Sequence, residues 1–330
     1  MFLSTFYNSY GSRWFKIGKG SGFGKVILFG EHFVVHGVPG IVSAIDSTAD
    51  AVVTKSNEKI EVKDERKGSK GYAKEKKLQQ FESINRMLKK MNLLPNICGL
   101  NIWLGGSLPG FSGLGASAAS SVAIARAIAE EFVLSVSNQE INEIAYEAEK
   151  AYAGNPSGID NTAATFGGLL WFEKNLVDGP NRIDEISLKE PVEIVIGSTG
   201  IVANTKAMVE GVADRKKTYP QKYDPLFQEA QVLAINARKA IQNFDLLKVG
   251  ELMSFNHRLL VDIGVSCKEL DQLVDIAREQ GAYGAKLTGG GGGGCMVALT
   301  PGKNLQEKVA ITLENEGFEV LRTKIGIKRI

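Results

Sequence analysis

Cysteine is scarce in this chain of 330 residues: Cys98, Cys267 and Cys295 are all it has. They are far apart and odd in number, which excludes a disulfide framework and a CxxC metal site and fits a reducing compartment. Histidine is as rare, and no HExxH-type spacing exists, which argues against a zinc enzyme. No apolar run approaches the roughly 18 residues of a membrane helix. The opening MFLSTFYNSYGSRWFKIGKGSG lacks the apolar core and small-residue cleavage site of a signal peptide. It reads as an extension outside the main fold, residues 1–22, and a cytoplasmic protein is expected. An excess of charge of one sign is missing too. The net charge is +2, the lysine pairs at Lys76–Lys77 and Lys216–Lys217 are mixed with acids, and no basic patch interleaved with aromatics points to nucleic acid.

Glycine is what the chain has in plenty. Gly289 to Gly294 form an unbroken run of six inside KLTGGGGGGCMVALT. Such a run is usually a linker, but AKLT before it and CMVAL after it both read as strands, so it interrupts a β-hairpin or sheet. Each ordered glycine costs about 0.5–1 kcal/mol relative to alanine in an element interior, so the run needs a physical reason.

Along the chain, KVILF (Lys25 to Phe29) is followed by GEH and a second apolar run from Phe33 to Ile45. AVVTK and KIEVK, between Asp50 and Lys63, read as a strand pair joined by Ser56 and Asn57. The charged DERKGSKGYAKEKK (Asp64 to Lys77) is expected to be a solvent-facing loop, with a helix from Leu78 to Met91 and a strand around Trp103. Ser137 and Glu140 form an S-x-x-E capping box that opens a helix with apolar residues at Ile141, Ile144, Ala145, Ala148 and Tyr152. At about 100° per residue, Glu149 falls at the edge of that stripe, so its carboxylate is partly buried and needs a partner. Strands follow at Leu169 to Phe172 and Val192 to Ile196. Helices dominate from Asn204 to Gln280, and strand, glycines and strand close the core.

Two glycine loops carry the chemistry. Main-chain N–H groups in a glycine turn can converge on an anion, and a helix start adds roughly half a positive charge. The loop with Gly113, Gly115 and Ser117 runs straight into a helix beginning near Ala118, which makes a phosphate cradle with a hydroxyl at its lip. A Walker A motif is absent, since Gly24-Lys25 is followed by Val26. The hexaglycine runs into a strand, so its formal G-x-G-x-x-G match to a dinucleotide fold is empty. Phosphoryl transfer is mostly positioning and charge neutralisation. It calls for a phosphate loop, a metal on one or two oxygens, a base at the acceptor hydroxyl and a cation. Ser117 and Glu149 are the candidate metal oxygens, Asp160 the candidate base and Lys25 its cation. Each has a plainer reading: Ser117 a helix cap, Glu149 a salt-bridge partner, Asp160 a turn residue, Lys25 a surface lysine.

Four stretches resemble the GHMP small-molecule kinases: GKVILFGEHFVVHG (Gly24 to Gly37), PGFSGLGASAAS (Pro109 to Ser120), GNPSGIDN (Gly154 to Asn161) and KLTGGGGGGC (Lys286 to Cys295). The likeness spans from about residue 23 to the end, and GEH alone is shared with galactokinases. The first and third stretches together are similar to the branch of the family that phosphorylates mevalonate. The resemblance implies a two-domain α+β fold with the active site in the cleft between domains, 23–188 forming the N-terminal and 189–330 the C-terminal domain. It implies ATP and Mg2+, with Ser117 and Glu149 as metal ligands, Asp160 as catalytic base and Lys25 as its cationic neighbour. Gly113, Leu114, Gly115, Ala116, Ser117 and Ala118, with Gly291, Gly292 and Gly293, would bind the phosphates. Glu31, His32, Thr205 and Gly290 would line the acceptor.

Two departures stand out. Ala116 replaces the first serine of the family's usual GLGSSA, and Gly290 stands where GAGGGG has alanine. The implied activity is transfer to the C5 hydroxyl of mevalonate, with a related kinase acting on phosphomevalonate or another small alcohol as the alternative. A catalytically idle sensor is the rival from another class, disfavoured because the base and both metal oxygens are present. Monomer and homodimer are both compatible with the sequence.

Overall fold

In a computed structural model the described residues are 17–67, 72–94, 97–110, 113–153, 156–177, 179–202 and 204–328; the side chains of 72–76 and 153 are not described. The amino-terminal half is built on β1 (Gly18–Phe29), β2 (Gly40–Ser56), β3 (Glu61–Asp64), β4 (Gly99–Gly105), β5 (Leu169–Glu173) and β6 (Arg182–Glu185). Helices α1 (Tyr72–Lys90), α2 (Ala116–Glu131), α3 (Asn138–Ala153) and α4 (Ile159–Phe166) belong with it. The remainder has β7 (Val192–Ser198), β8 (Gly284–Thr288), β9 (Cys295–Leu299) and β10 (Glu319–Ile325). Its helices are α5 (Thr205–Thr218), α6 (Pro220–Gln242), α7 (Leu246–Asp262), α8 (Lys268–Glu279) and α9 (Lys303–Asn315). This is the expected α+β arrangement.

Strand β2, 17 residues long, is the spine: β1, β4 and β5 all pair with it antiparallel. The two halves join where β10, paired along its length with β7, meets β2 at Ile325 and Ile45. A second seam lies at the site. The Thr288 hydroxyl of β8 accepts from the Ile27 N–H of β1 at 3.0 Å and donates back to its carbonyl at 3.2 Å.

Several expectations change. Residues 18–22 are not an extension but the first half of β1, paired with Val53 through Ala49; residues 1–16 lie outside the described residues. The reason is packing. A β-carbon on Gly18, Gly20 or Gly22 would sit 2.0, 2.1 or 2.2 Å from the carbonyl oxygens of Ala127, Ala123 and Ala119 respectively. Alternate residues of a strand share a face and every fourth residue of a helix shares a stripe, so three bare glycines let the small-residue helix α2 lie directly on β1. The expected hairpin between 50 and 63 is absent, because β3 pairs parallel to β4 instead. The charged segment from Asp64 is only partly a loop: α1 begins at Tyr72. The side chain of Arg66 within it is tucked away from solvent, donating to the Ala116 carbonyl and Ser120 hydroxyl at 3.3 and 2.6 Å. Beyond the strands expected from the sequence, β6 pairs antiparallel with β5, and α9 and β10 follow β9. The capping box holds, with Glu140 accepting from the Ser137 N–H at 2.8 Å and Ser137 accepting from the Glu140 N–H at 3.2 Å. The hexaglycine joins β8 and β9 as an antiparallel hairpin.

Candidate active site

Lys25 sits on β1 where the pairing register with β2 breaks, between Phe23 and Lys25, a distortion of the kind that re-aims side chains beside active sites. Its N–H donates to the Leu114 carbonyl at 3.0 Å, which pins the first glycine loop to the strand. Its side chain then runs over Gly115, where a β-carbon would be 2.8 Å from Lys25 Cγ and 3.0 Å from Cε. Gly115 also has φ 68° and caps α2, a left-handed conformation that glycine adopts without steric cost. The helix therefore starts at Ala116, and its first turn carries Ser117.

At the end of that lysine stands Asp160. The Lys25 Nζ lies 2.9 Å from Asp160 Oδ1, with side-chain exposures of 3% and 34%. The cation is hidden and the carboxylate faces outward. Asp160 lies in the first turn of α4, after Gly158 in the left-handed cap, where a negative charge suits the helix dipole. Ser117 Oγ lies 3.4 Å from Glu149 Oε2, and Glu149 on α3 is buried. A hydroxyl and a carboxylate side by side fit a hard divalent cation that keeps most of its waters. Among the described residues no group of three or more His, Cys, Asp or Glu side chains could form an all-protein metal cage.

The two glycine loops touch. A β-carbon on Gly289 would be 2.7 Å from Gly113 Cα, and one on Gly113 would be 2.8 Å from the Thr288 carbonyl oxygen. The hexaglycine also packs on protein elsewhere. A β-carbon on Gly291 would be 2.0 Å from the Val265 carbonyl oxygen and one on Gly293 2.8 Å from Ile201. The N–H of Gly292 already donates to the Val265 carbonyl at 2.9 Å. Its amide is thus engaged in holding the loop. Much of the demand for glycine comes from the loop's own packing and left-handed backbone.

Glu31, expected on the acceptor side, is fully buried against Lys286 on β8, and Asn256 Nδ2 donates to its second oxygen at 3.3 Å. Lys286 also donates to the carbonyls of Ile27 and Leu287 at 3.3 and 2.5 Å. Burial pushes the Glu31 carboxyl up and the Lys286 ammonium down, each opposed by the other's charge. Lys286 and Asn256 were missed from the sequence. A lysine in a predicted strand was the one available signal, since a charge there must find a partner.

His32 is next to this pair. Its φ is 60°, and its Nε2 lies 2.9 Å from the Gly290 carbonyl oxygen. A carbonyl only accepts, so Nε2 carries the hydrogen and Nδ1 presents a lone pair, buried and without a hydrogen-bond partner. Burial lowers the ring's pKa to about 4, keeping it neutral. Thr205 opens α5, exposed, directly against Gly290. The structure thus brings Lys25 and Asp160 together beside the first glycine loop, pairs Ser117 with Glu149, and gathers His32, Gly290 and Thr205.

Comparison with known proteins follows the same outline. Residues 80–168 match the model of the GHMP kinases N-terminal domain and residues 237–318 that of the GHMP kinases C-terminal region. A mevalonate kinase of Pyrococcus abyssi is 33% identical, over 92% of this chain and 93% of its own length. The crystal structure of L. major mevalonate kinase in complex with R-mevalonate superposes with a TM-score of 0.87 at 36% identity, covering 93% of this chain and 95% of that one. Lactococcus lactis galactokinase complexed with galactose, at 20% identity and TM-score 0.71 over 95% of this chain and 94% of that one, shares the fold.

Proposed function

The chain belongs to the mevalonate kinase branch of the GHMP kinases, and we propose that it transfers the γ-phosphoryl group of ATP to the C5 hydroxyl of mevalonate. The observation that carries the reading is the ion pair of Lys25 and Asp160, set where the Gly113–Ser117 turn passes over the lysine stem. With Lys25 buried behind it, Asp160 is the member of the pair that meets the acceptor. Its free oxygen accepts the hydroxyl proton as the hydroxyl oxygen bonds to the γ-phosphorus. The bond from that phosphorus to the bridging oxygen breaks, and ADP leaves with the electron pair. Lys25 holds the carboxylate in place and offsets charge gathering on the moving phosphoryl group, the positioning and neutralisation that such transfers need.

Helix α2 points its N-terminus at the phosphates, a placement that favours anions. Ser117 and Glu149 are the residues that would hold Mg2+, which when bound neutralises phosphate oxygens and orients them. His32, neutral, offers Nδ1 to a donor such as an alcohol. Glu31 and Lys286 tie β1 to β8 behind the site, Lys286 donating to the Ile27 carbonyl at 3.3 Å. Three unpaired cysteines fit a reducing cytoplasmic setting.

A coupled ADP-release assay across mevalonate, phosphomevalonate and galactose tests the reading. Turnover confined to mevalonate is expected. Preference for phosphomevalonate or galactose would move the chain to another branch, and ATP binding without turnover of any acceptor would leave an idle relative.

A further inference from the structure

The carbonyl of Val265 meets the glycine hairpin twice: the Gly292 N–H donates to it, and a β-carbon on Gly291 would fall on its oxygen. Val265 follows the end of α7, and the way that helix stops decides where this carbonyl points. Gly264 has φ 74°. Its N–H donates to the Val261 carbonyl at 2.8 Å, and the Val265 N–H donates to the Leu260 carbonyl at 3.1 Å. Those are the paired closing bonds of a helix that ends on a left-handed glycine. The chain is thereby turned back, and Val265 is buried against the hairpin.

A helix that stops leaves its last carbonyls without helical partners. Arg215, in the last turn of α5, takes up two carbonyls at this stop. Its Nη2 donates to the Ile263 carbonyl at 2.8 Å and to the Gly264 carbonyl at 3.4 Å, while its Nε donates to the Tyr223 hydroxyl at 3.1 Å. The side chain is half-buried, and its acceptors among the described residues are all neutral. What suits a cation there is the negative end of α7. The same stripe of α5 reaches the hairpin directly. Met208 lies two turns before Arg215, and a β-carbon on Gly292 would be 3.1 Å from its Sδ. Helix α5, the end of α7 and Gly291–Gly292 thus pack as one unit.

We propose that Arg215 is a positioning residue for the nucleotide: by capping the end of α7 it fixes the Val265 carbonyl, and through it Gly291 and Gly292 beside the first glycine loop. The hairpin abuts that loop where Gly289 meets Gly113, so a shift at Gly291 and Gly292 bears on the phosphates first. The inference rests on the functional reading above, in which the Gly113 loop cradles ATP. It adds to that site a residue that acts through the backbone of others.

The test compares wild type, Arg215→Met, Arg215→Lys and Arg322→Met. The last removes a guanidinium from the same half that bonds only Glu307 and Glu314. Amide hydrogen exchange of the ligand-free enzymes is read over 289–294. Steady-state kinetics are read for ATP and for the alcohol that wild type turns over, from mevalonate, phosphomevalonate and galactose. In Arg215→Met the Gly292 amide should lose protection while β8 and β9 keep theirs, since such opening can be local. The ATP KM should rise about tenfold and the acceptor KM less than about threefold, a small misplacement by a distant mutation costing up to about a hundredfold. Arg215→Lys keeps a cation on a flexible stem and should recover part of both, and Arg322→Met should leave both at wild-type values. Should Arg215→Met fail to fold, Arg215→Lys decides by the same readouts. Unchanged exchange at 289–294 or an unchanged ATP KM overturns the proposal. So does an equal rise in both KM values, which marks a general loss of structure, or an Arg215→Lys no better than Arg215→Met, or the same ATP effect in Arg322→Met. Wild-type enzyme inactive on every acceptor overturns the functional reading and this inference with it. Normal wild-type turnover with an ATP KM indifferent to Arg215→Met overturns this one alone.

Discussion

Lys25 stands behind Asp160: its ammonium is buried to 3% exposure while the carboxylate 2.9 Å away keeps 34% of its surface. The asymmetry divides the labour. A lysine with no access to solvent cannot be the group that meets a diffusing alcohol, and a carboxylate left partly open can. Asp160→Asn keeps the shape and a hydrogen-bonding oxygen but removes the proposed base. Its kcat is expected to fall about 10²–10⁴-fold, with ATP affinity by calorimetry within a factor of about three. Near-normal turnover would show that the proton leaves by another route.

Glu149 is buried on α3 within 3.4 Å of the Ser117 hydroxyl. Glu149→Gln preserves volume and deletes the charge that would bind a divalent cation. The magnesium concentration for half-maximal rate should rise by at least the roughly tenfold that loss of even a peripheral contact around a metal costs. A superimposable magnesium titration would remove Glu149 from the metal site.

The Glu31–Lys286 pair makes different stability predictions for single and double variants. Lys286→Met leaves a fully buried carboxylate with Asn256 as its chief partner, and breaking a buried pair in this way costs about 3–5 kcal/mol. Glu31→Leu/Lys286→Met replaces both charges with apolar groups and should recover most of that loss in urea unfolding. If the double variant is as unstable as the single, desolvation is not the governing cost.

His32 links pH to stability. Burial lowers its pKa from 6.5 to about 4, so between those values the unfolded chain binds a proton that the folded chain refuses. The contribution is fully present above pH 6.5 and is lost as pH falls toward 4. Its size is roughly 3 kcal/mol at about 1.36 kcal/mol per pKa unit. His36 and His257 are also lowered by burial and act in the same direction. His32→Asn, which tolerates the left-handed backbone, should flatten the acid side of the stability curve between pH 6.5 and 4 without abolishing it. An unaltered slope would place the titrating group elsewhere.

Local signals were legible from residue order. The capping box at Ser137 and Glu140, the turn into α2, the hairpin around the hexaglycine and the pairing of Lys25 with Asp160 each depend on neighbours a few positions apart, or on a motif read as a block. The segment 18–22 was not legible as β1, because GKGSG has no apolar alternation to announce a strand. Its alternation is of absent side chains, and that has meaning only against α2. Arg66 looked like one more solvated charge in a charged stretch until the fold laid it on the start of α2.

What this sequence settled alone was chemical type: which side chains could hold phosphate, metal and a proton, and which classes of function its composition ruled out. What only the tertiary structure decided was who faces whom. It hid Lys25 and left Asp160 open, buried Glu31 with a lysine 255 positions away, and set Gly113 against Gly289 and Gly290 against Thr205. Those relations join segments far apart in the chain, and they are fixed by the packing of β1 between α2 and β8, which no local pattern encodes.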